Sequence, residues 1–94
     1  MKSCDKGISI KISKGILYRF EENLDQTCFI FDIYNFRAFK LGKLEYLIFK
    51  NIDKQGFDIE SILLDIRKEG FLTTTEEIEN FIESLLHLKI LTVE

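Results

Sequence analysis

The chain has 94 residues, a formal net charge of −3, and 46% hydrophobic and 31% charged residues. This length supports one core, so we expect a single domain over residues 1–94, with residues 1–7 poorly ordered. The acidic balance disfavours nucleic acid as a partner, and no apolar run reaches the ~20 residues of a membrane span, so we expect a cytoplasmic protein that binds neither nucleic acid nor membrane.

Alternating segments predict strands in the first half of the chain. Residues 8–12 (ISIKI) and residues 16–22 (ILYRFEE) each alternate between two faces, as a half-buried strand does. Polar residues 23–26 then supply a turn into a further alternating run, CFIFD, at residues 28–32. These runs predict antiparallel strands joined as hairpins.

The next strand is predicted over residues 36–41 and follows a tight turn at Tyr34 and Asn35. Asn suits such a turn because it tolerates the left-handed backbone that tight hairpins require. The alternation divides the strand into one face with Phe36, Ala38 and Lys40 and another with Arg37, Phe39 and Leu41.

After Gly42 the apolar period changes from two to about 3.6, which predicts helices. The first helix is expected to end near residues 51–56. A second helix begins at Asp58, a good N-cap residue, and stops at Gly70.

A third helix is predicted to run to about Lys89. It opens with two threonines and two glutamates at capping-box spacing: Thr73, Thr74, Glu76 and Glu77. The sequence therefore predicts an α+β domain in which an antiparallel meander of three or four strands precedes a three-helix unit resembling a winged helix.

In a winged-helix protein the third helix would enter the DNA major groove. Here Lys89 is its only basic residue, and it carries four carboxylates: Glu76, Glu77, Glu79 and Glu83. Carboxylates facing phosphates repel them. A winged-helix transcriptional regulator, or an interaction domain that uses protein contacts, is therefore the alternative function.

Patterns for catalysis or metal binding are missing from the sequence. No phosphate-binding loop, dinucleotide fingerprint or HExxH motif occurs. Cys4 and Cys28 are too few and too far apart for a disulfide framework, and only His87 could join them as a metal ligand. We therefore expect a protein that is not an enzyme and has no catalytic residue, metal or cofactor.

Two features favour the binding of a peptide. A meander leaves one edge of its last strand, residues 36–41, unpaired, and an open edge can accept a strand from a partner. The apolar arc of the third helix also covers roughly 160°, wider than the ~100° that seats a helix on a core. The alternative is that the sheet and the other helices cover the whole arc.

The runs RFEENLDQTCFIFDIYNFRAFKLG, EYLIFKNIDKQGFDIESILLDI and EEIENFIESLLHLKIL resemble the PqqD-like family, the RiPP recognition elements of ribosomal-peptide natural-product pathways. The resemblance covers about residues 8–91. It rests on the order of the elements and on dispersed positions that include Asp32, Leu41 and Gly56. The sequence departs from the family at Gly42, where an Asn is usual.

Members of that family are small and non-catalytic, and they bind the leader segment of a precursor peptide as a strand added beside the third helix. The resemblance implies the precursor peptide and a tailoring enzyme as partners of a chain that is a monomer or a homodimer. It also implies that the leader strand pairs with the backbone of the predicted strand, made by Phe36, Arg37, Ala38, Phe39, Lys40 and Leu41. The apolar wall of the binding groove would be made by Ile78, Ile82 and Leu86, and its acidic rim by Glu79 and Glu83. Arg37 and Lys40 are expected to pair with acidic leader residues.

Overall fold

The structure is a computed structural model that describes residues 9–23 and 25–93. The expectation for residues 1–7 and the predicted strand residue Ile8 lie outside the described residues. The elements are β1 (Ile10–Ile12), β2 (Ile16–Glu21), β3 (Thr27–Asp32), β4 (Arg37–Leu41), α1 (Lys43–Gln55), α2 (Ile59–Lys68), α3 (Thr75–His87) and β5 (Leu91–Val93). The predicted α+β class, a meander followed by three helices, is confirmed.

The meander is an antiparallel sheet with the order β2-β3-β4. On its inner face Tyr18, Ile30 and Phe39 lie in one cross-strand row. This face packs on the helices because it is the more apolar one, and Ile30 and its neighbour Cys28 are completely buried. Tyr18 and the aromatic ring of Phe49 in α1 meet edge to face, with centroids 4.9 Å apart.

The strand β1 pairs with β5, not with the meander. Ile10 lies opposite Val93 and Ile12 lies opposite Leu91 in an antiparallel two-stranded sheet. The sequence predicted only a short apolar tail for the residues of β5, so this pairing is a new finding. It buries Ile10 and Leu91 in the core, where β1 packs against α1 and β5 packs against α3.

The helices begin at the predicted places but differ in how they are capped. Thr74 and Glu77 form the predicted capping box, with the Thr74 hydroxyl accepting from Glu77 N at 3.2 Å and the Glu77 carboxylate accepting from Thr74 N at 3.1 Å. Asp58 occupies the N-cap of α2, but its side chain makes no capping bond to the backbone. The N-cap of α1 is Gly42, which has no side chain to offer.

The end of α3 comes two residues before the predicted end at Lys89. Leu88 is the C-cap, and Lys89 has a φ of 64°. Lys89 N donates to Leu86 O at 3.0 Å and Ile90 N donates to Leu85 O at 2.9 Å. These two bonds form a Schellman motif, which normally has a glycine where Lys89 stands.

Candidate functional site

The candidate site is the outer edge of β4. The strand pairs with β3 along one edge, and within residues 9–23 and 25–93 no strand pairs with the other. Its five residues, RAFKL, contain neither Pro nor Gly. Every second residue of such an edge strand turns its N–H and C=O away from the sheet, so β4 offers backbone groups to a further strand.

Phe36 is not part of this strand, so its predicted ladder role is wrong. Asp32 and Arg37 pair directly, which leaves residues 33–36 as a four-residue turn. Phe36 has a φ of 54° and is 92% exposed. The left-handed residue is therefore Phe36 and not the predicted Asn35.

The Asp32 carboxylate shapes this turn. It is buried and accepts hydrogen bonds from Tyr34 N at 3.2 Å, and from Asn35 N at 3.2 Å and Asn35 Nδ2 at 2.9 Å. Arg37 Nη2 donates to Asp32 Oδ2 at 2.7 Å. The donors from Arg37 and then Asn35 stabilise the ionised form, and they lower the pKa of Asp32 to about 2.

Arg37 also reaches α3, a contact that the sequence did not predict. Its Nη2 donates to Leu88 O at 2.8 Å, and its guanidinium carbon lies 5.2 Å from the centroid of the Phe39 ring. Leu88 is the C-cap of α3, so this bond satisfies a carbonyl that the helix leaves without an internal partner. Because its guanidinium is hydrogen-bonded to Asp32 and to Leu88 O, Arg37 positions β4 against α3, and its charge is already compensated by the Asp32 carboxylate.

The predicted apolar wall on α3 is only partly available. Ile78 and Ile82 are 0% and 1% exposed, so these two predictions are wrong: both residues belong to the hydrophobic core. The centre of the arc is thus covered by the rest of the fold, as the alternative had it. Leu86 and Glu79 are half-buried and Glu83 is exposed, so a ligand can reach only this flank of the predicted set.

The solvent face of the sheet carries an apolar surface that the sequence analysis did not identify. Leu17, Phe31 and Ala38 form one cross-strand row there. Leu17 is 57% exposed and Phe31 is 43% exposed. The signal was present in the sequence, because β3 is apolar on both faces, and a strand with two apolar faces is typical of a sheet covered on both sides.

An open depression lies on this solvent face beside β4. Its apolar walls are Phe31, Ile33 and Phe36, and Ala38 lies at its β4 side. Ile33 is 50% exposed. The depression therefore adjoins the edge of β4 to which a further strand would pair. Ala38 leaves space at this edge because its side chain is a single methyl group.

Tyr18 and Cys28, which lie outside this site, have pKa values that burial raises. Tyr18 donates to Asp53 Oδ2 at 2.5 Å, and burial, followed by this bond, raises the pKa of the phenol. Burial raises the pKa of Cys28 to about 11, which keeps this thiol protonated at neutral pH. In the described part of the chain no three His, Cys, Asp or Glu residues are grouped so that they could hold a metal ion.

Comparison with known proteins found no relative: no family model, no curated protein and no solved structure matches this chain. Among the described residues, no helix has the length and apolarity to cross a membrane.

Proposed function

We propose that this protein is a non-catalytic peptide-binding module of the PqqD-like kind. It captures the leader segment of a ribosomally made precursor peptide as a strand added to β4, in the cytoplasm. It then presents this precursor to a separate tailoring enzyme of natural-product biosynthesis, such as a radical-SAM enzyme, a protease or a cyclase. The module makes and breaks no covalent bond, and it acts by raising the local concentration of substrate at the enzyme.

The observation that carries the proposal is the open edge of β4. Proteins usually protect such an edge with Pro, with bulges or with several charges. Among the residues of β4, only Lys40 presents an uncommitted charge, since the guanidinium of Arg37 is bound to Asp32 and Leu88. An edge held in place at one end and left open along its length favours strand addition as the binding mode.

The strand is short, so its backbone bonds cannot be the whole of the affinity. About two or three residues of β4 face outward and offer about four to six hydrogen bonds, each with a net contribution of ~0.5–1.5 kcal/mol. Association costs at least ~4 kcal/mol in lost freedom of motion. Side-chain contacts must therefore supply most of the remaining affinity and all of the selectivity for a leader sequence.

The charge of α3 disfavours the regulator as an alternative. Three of its glutamates, Glu76, Glu77 and Glu83, are exposed, and no Lys or Arg lies within the helix. A recognition helix of this charge would meet the phosphates of DNA with repulsion.

The test is an amide chemical-shift titration of the labelled protein with synthetic candidate leader peptides, taken from any short gene found beside this one, and with duplex DNA as a control. We expect saturable shifts in β4 and at the C-terminal end of α3. Ala38→Pro should abolish these shifts, because a proline disrupts pairing at the strand edge. A folded Ala38→Pro variant that binds with unchanged affinity would falsify strand addition.

A further inference from the structure

The solvent face of the sheet has two different rows that both end at the open edge. The row Leu17–Phe31–Ala38 is apolar, and the next row, Arg19–Phe29–Lys40, has a cation on each side of an aromatic ring. A strand added to β4 continues each row by one position, because residues directly opposite each other share a face of the sheet. The peptide that adds this strand, here called the guest, therefore meets an apolar position and a cationic position two residues apart.

The apolar position is beside Ala38. The small side chain of Ala38 leaves space, and Phe31, Ile33 and Phe36 line the depression next to it. Phe36 is almost fully exposed although its backbone is left-handed, an arrangement that adds no packing within the described fold. A large apolar side chain of the guest would cover these rings and fill the space beside Ala38.

The cationic position is beside Lys40. Lys40 is exposed, and its Nζ lies 6.0 Å from the centroid of Phe29. The other cation of the row, Arg19, already forms an ion pair with Glu21. A carboxylate on the guest is the complementary group for Lys40, at a place where no acidic residue of β3 or β4 shares its row.

We infer that the guest is read on the solvent face of the sheet, by a large apolar residue beside Ala38 and an acidic residue beside Lys40. This inference rests on the proposed strand addition. Antiparallel pairing is the more stable arrangement, and in it the guest residue opposite Lys40 precedes the one opposite Ala38 by two positions. The peptide therefore has the order acidic, any residue, large apolar.

The test is a selection of binders from a displayed library of random ten-residue peptides against the wild-type protein and against Lys40→Glu. The wild type should enrich Asp or Glu two positions before Leu, Ile, Met or an aromatic residue. Lys40→Glu should enrich Lys or Arg at the first of these positions. A selected acidic peptide should bind Lys40→Glu about two- to tenfold more weakly, as loss of an exposed ion pair and gain of a repulsion predict.

The matched control is Lys14→Glu. Lys11→Glu is less suitable, because Lys11 lies in β1, next to the core residue Ile10. Lys14 is exposed and lies in the turn before β2, outside both rows, so the variant has the same change of charge. It should select the same peptides as the wild type. Equal loss of affinity in Lys14→Glu and Lys40→Glu would overturn the inference, because it would show a response to net charge alone.

Amide hydrogen exchange with the selected peptides separates this inference from the proposed function. Protection of β4 amides together with the charge reversal supports both. A second outcome is that peptides without the acidic and apolar residues protect the β4 amides and that Lys40→Glu selects the same peptides as the wild type. This outcome overturns recognition on the solvent face but is consistent with strand addition to β4. Absence of β4 protection with every selected peptide overturns both.

Discussion

Phe36→Asn should raise stability while it weakens peptide binding. A left-handed backbone costs an ordinary L-residue roughly 1–2 kcal/mol, and Asn adopts it more readily. The 92% exposed ring at position 36 has almost no packing to lose. We therefore expect a gain of about 0.5–1 kcal/mol in the free energy of unfolding, which corresponds to ~2–8 °C in the melting temperature.

The loss of affinity follows from the area that a guest would cover. If a side chain of the guest peptide covers half of the Phe36 ring, ~100 Å² of apolar surface is buried, which stabilises the complex by ~2.5 kcal/mol. Part of this is lost because both side chains become ordered, so we expect Phe36→Asn to raise Kd about tenfold. Titration calorimetry with a selected peptide measures this change, and thermal unfolding followed by circular dichroism measures stability.

Gln26→Asn is the matched control for Phe36→Asn. Gln26 has a φ of 52° and is exposed, but it lies in the turn between β2 and β3, at the opposite end of the meander. It should gain similar stability and keep the Kd of the wild type. The reasoning is refuted if Phe36→Asn is more stable and yet binds as tightly as the wild type, because Phe36 would then contribute nothing to recognition.

The remaining predictions concern the turn between β3 and β4 and the end of α3. Arg37→Met should speed amide exchange at the C-terminal end of α3, since Leu88 O loses its donor; unchanged exchange there would show that the bond does not hold the helix. The pKa of Asp32 is lowered from 3.8 to about 2, so its stabilising effect is complete above the unfolded pKa and is lost as pH falls through 4 toward 2. Between pH 5 and 2 the urea midpoint should therefore fall more steeply in the wild type than in Asp32→Asn, and parallel curves would contradict the assignment. Lys89→Gly should stabilise the fold by about 0.5–1 kcal/mol in chemical unfolding, because it places glycine at the left-handed Schellman position; a less stable variant would argue against this helix end.

The parts of the fold that depend on local pattern could be predicted from the sequence. Alternation identified β1, β2, β3 and β4, and the capping-box spacing identified the N-cap of α3 at Thr74. The pairing of Ile10 with Val93 could not be predicted, because alternation shows that residues 10–12 form a strand but not which distant segment pairs with it, and β5 has only three residues.

The candidate site was predicted as a strand and a helix face, but not residue by residue. Helical periodicity shows which residues share the apolar arc of α3, but the packing of neighbouring elements decides which remain accessible. The family resemblance placed Ile78 and Ile82 on the wall of the groove, whereas this packing buries both in the core. The role of Arg37 depends on a carbonyl 51 residues away at Leu88. No spacing rule gives such a contact.

The two rows on the solvent face also bear on whether β4 would pair with a second copy of itself. Antiparallel pairing of two β4 strands over their whole length is centred on Phe39 and places Ala38 of one copy opposite Lys40 of the other. In that arrangement Lys40 of one copy lies beside the apolar depression of the other copy, and it has no carboxylate as a partner. A guest with an acidic and an apolar residue in the inferred order satisfies both positions, so the same side chains that favour the guest disfavour self-pairing through this edge.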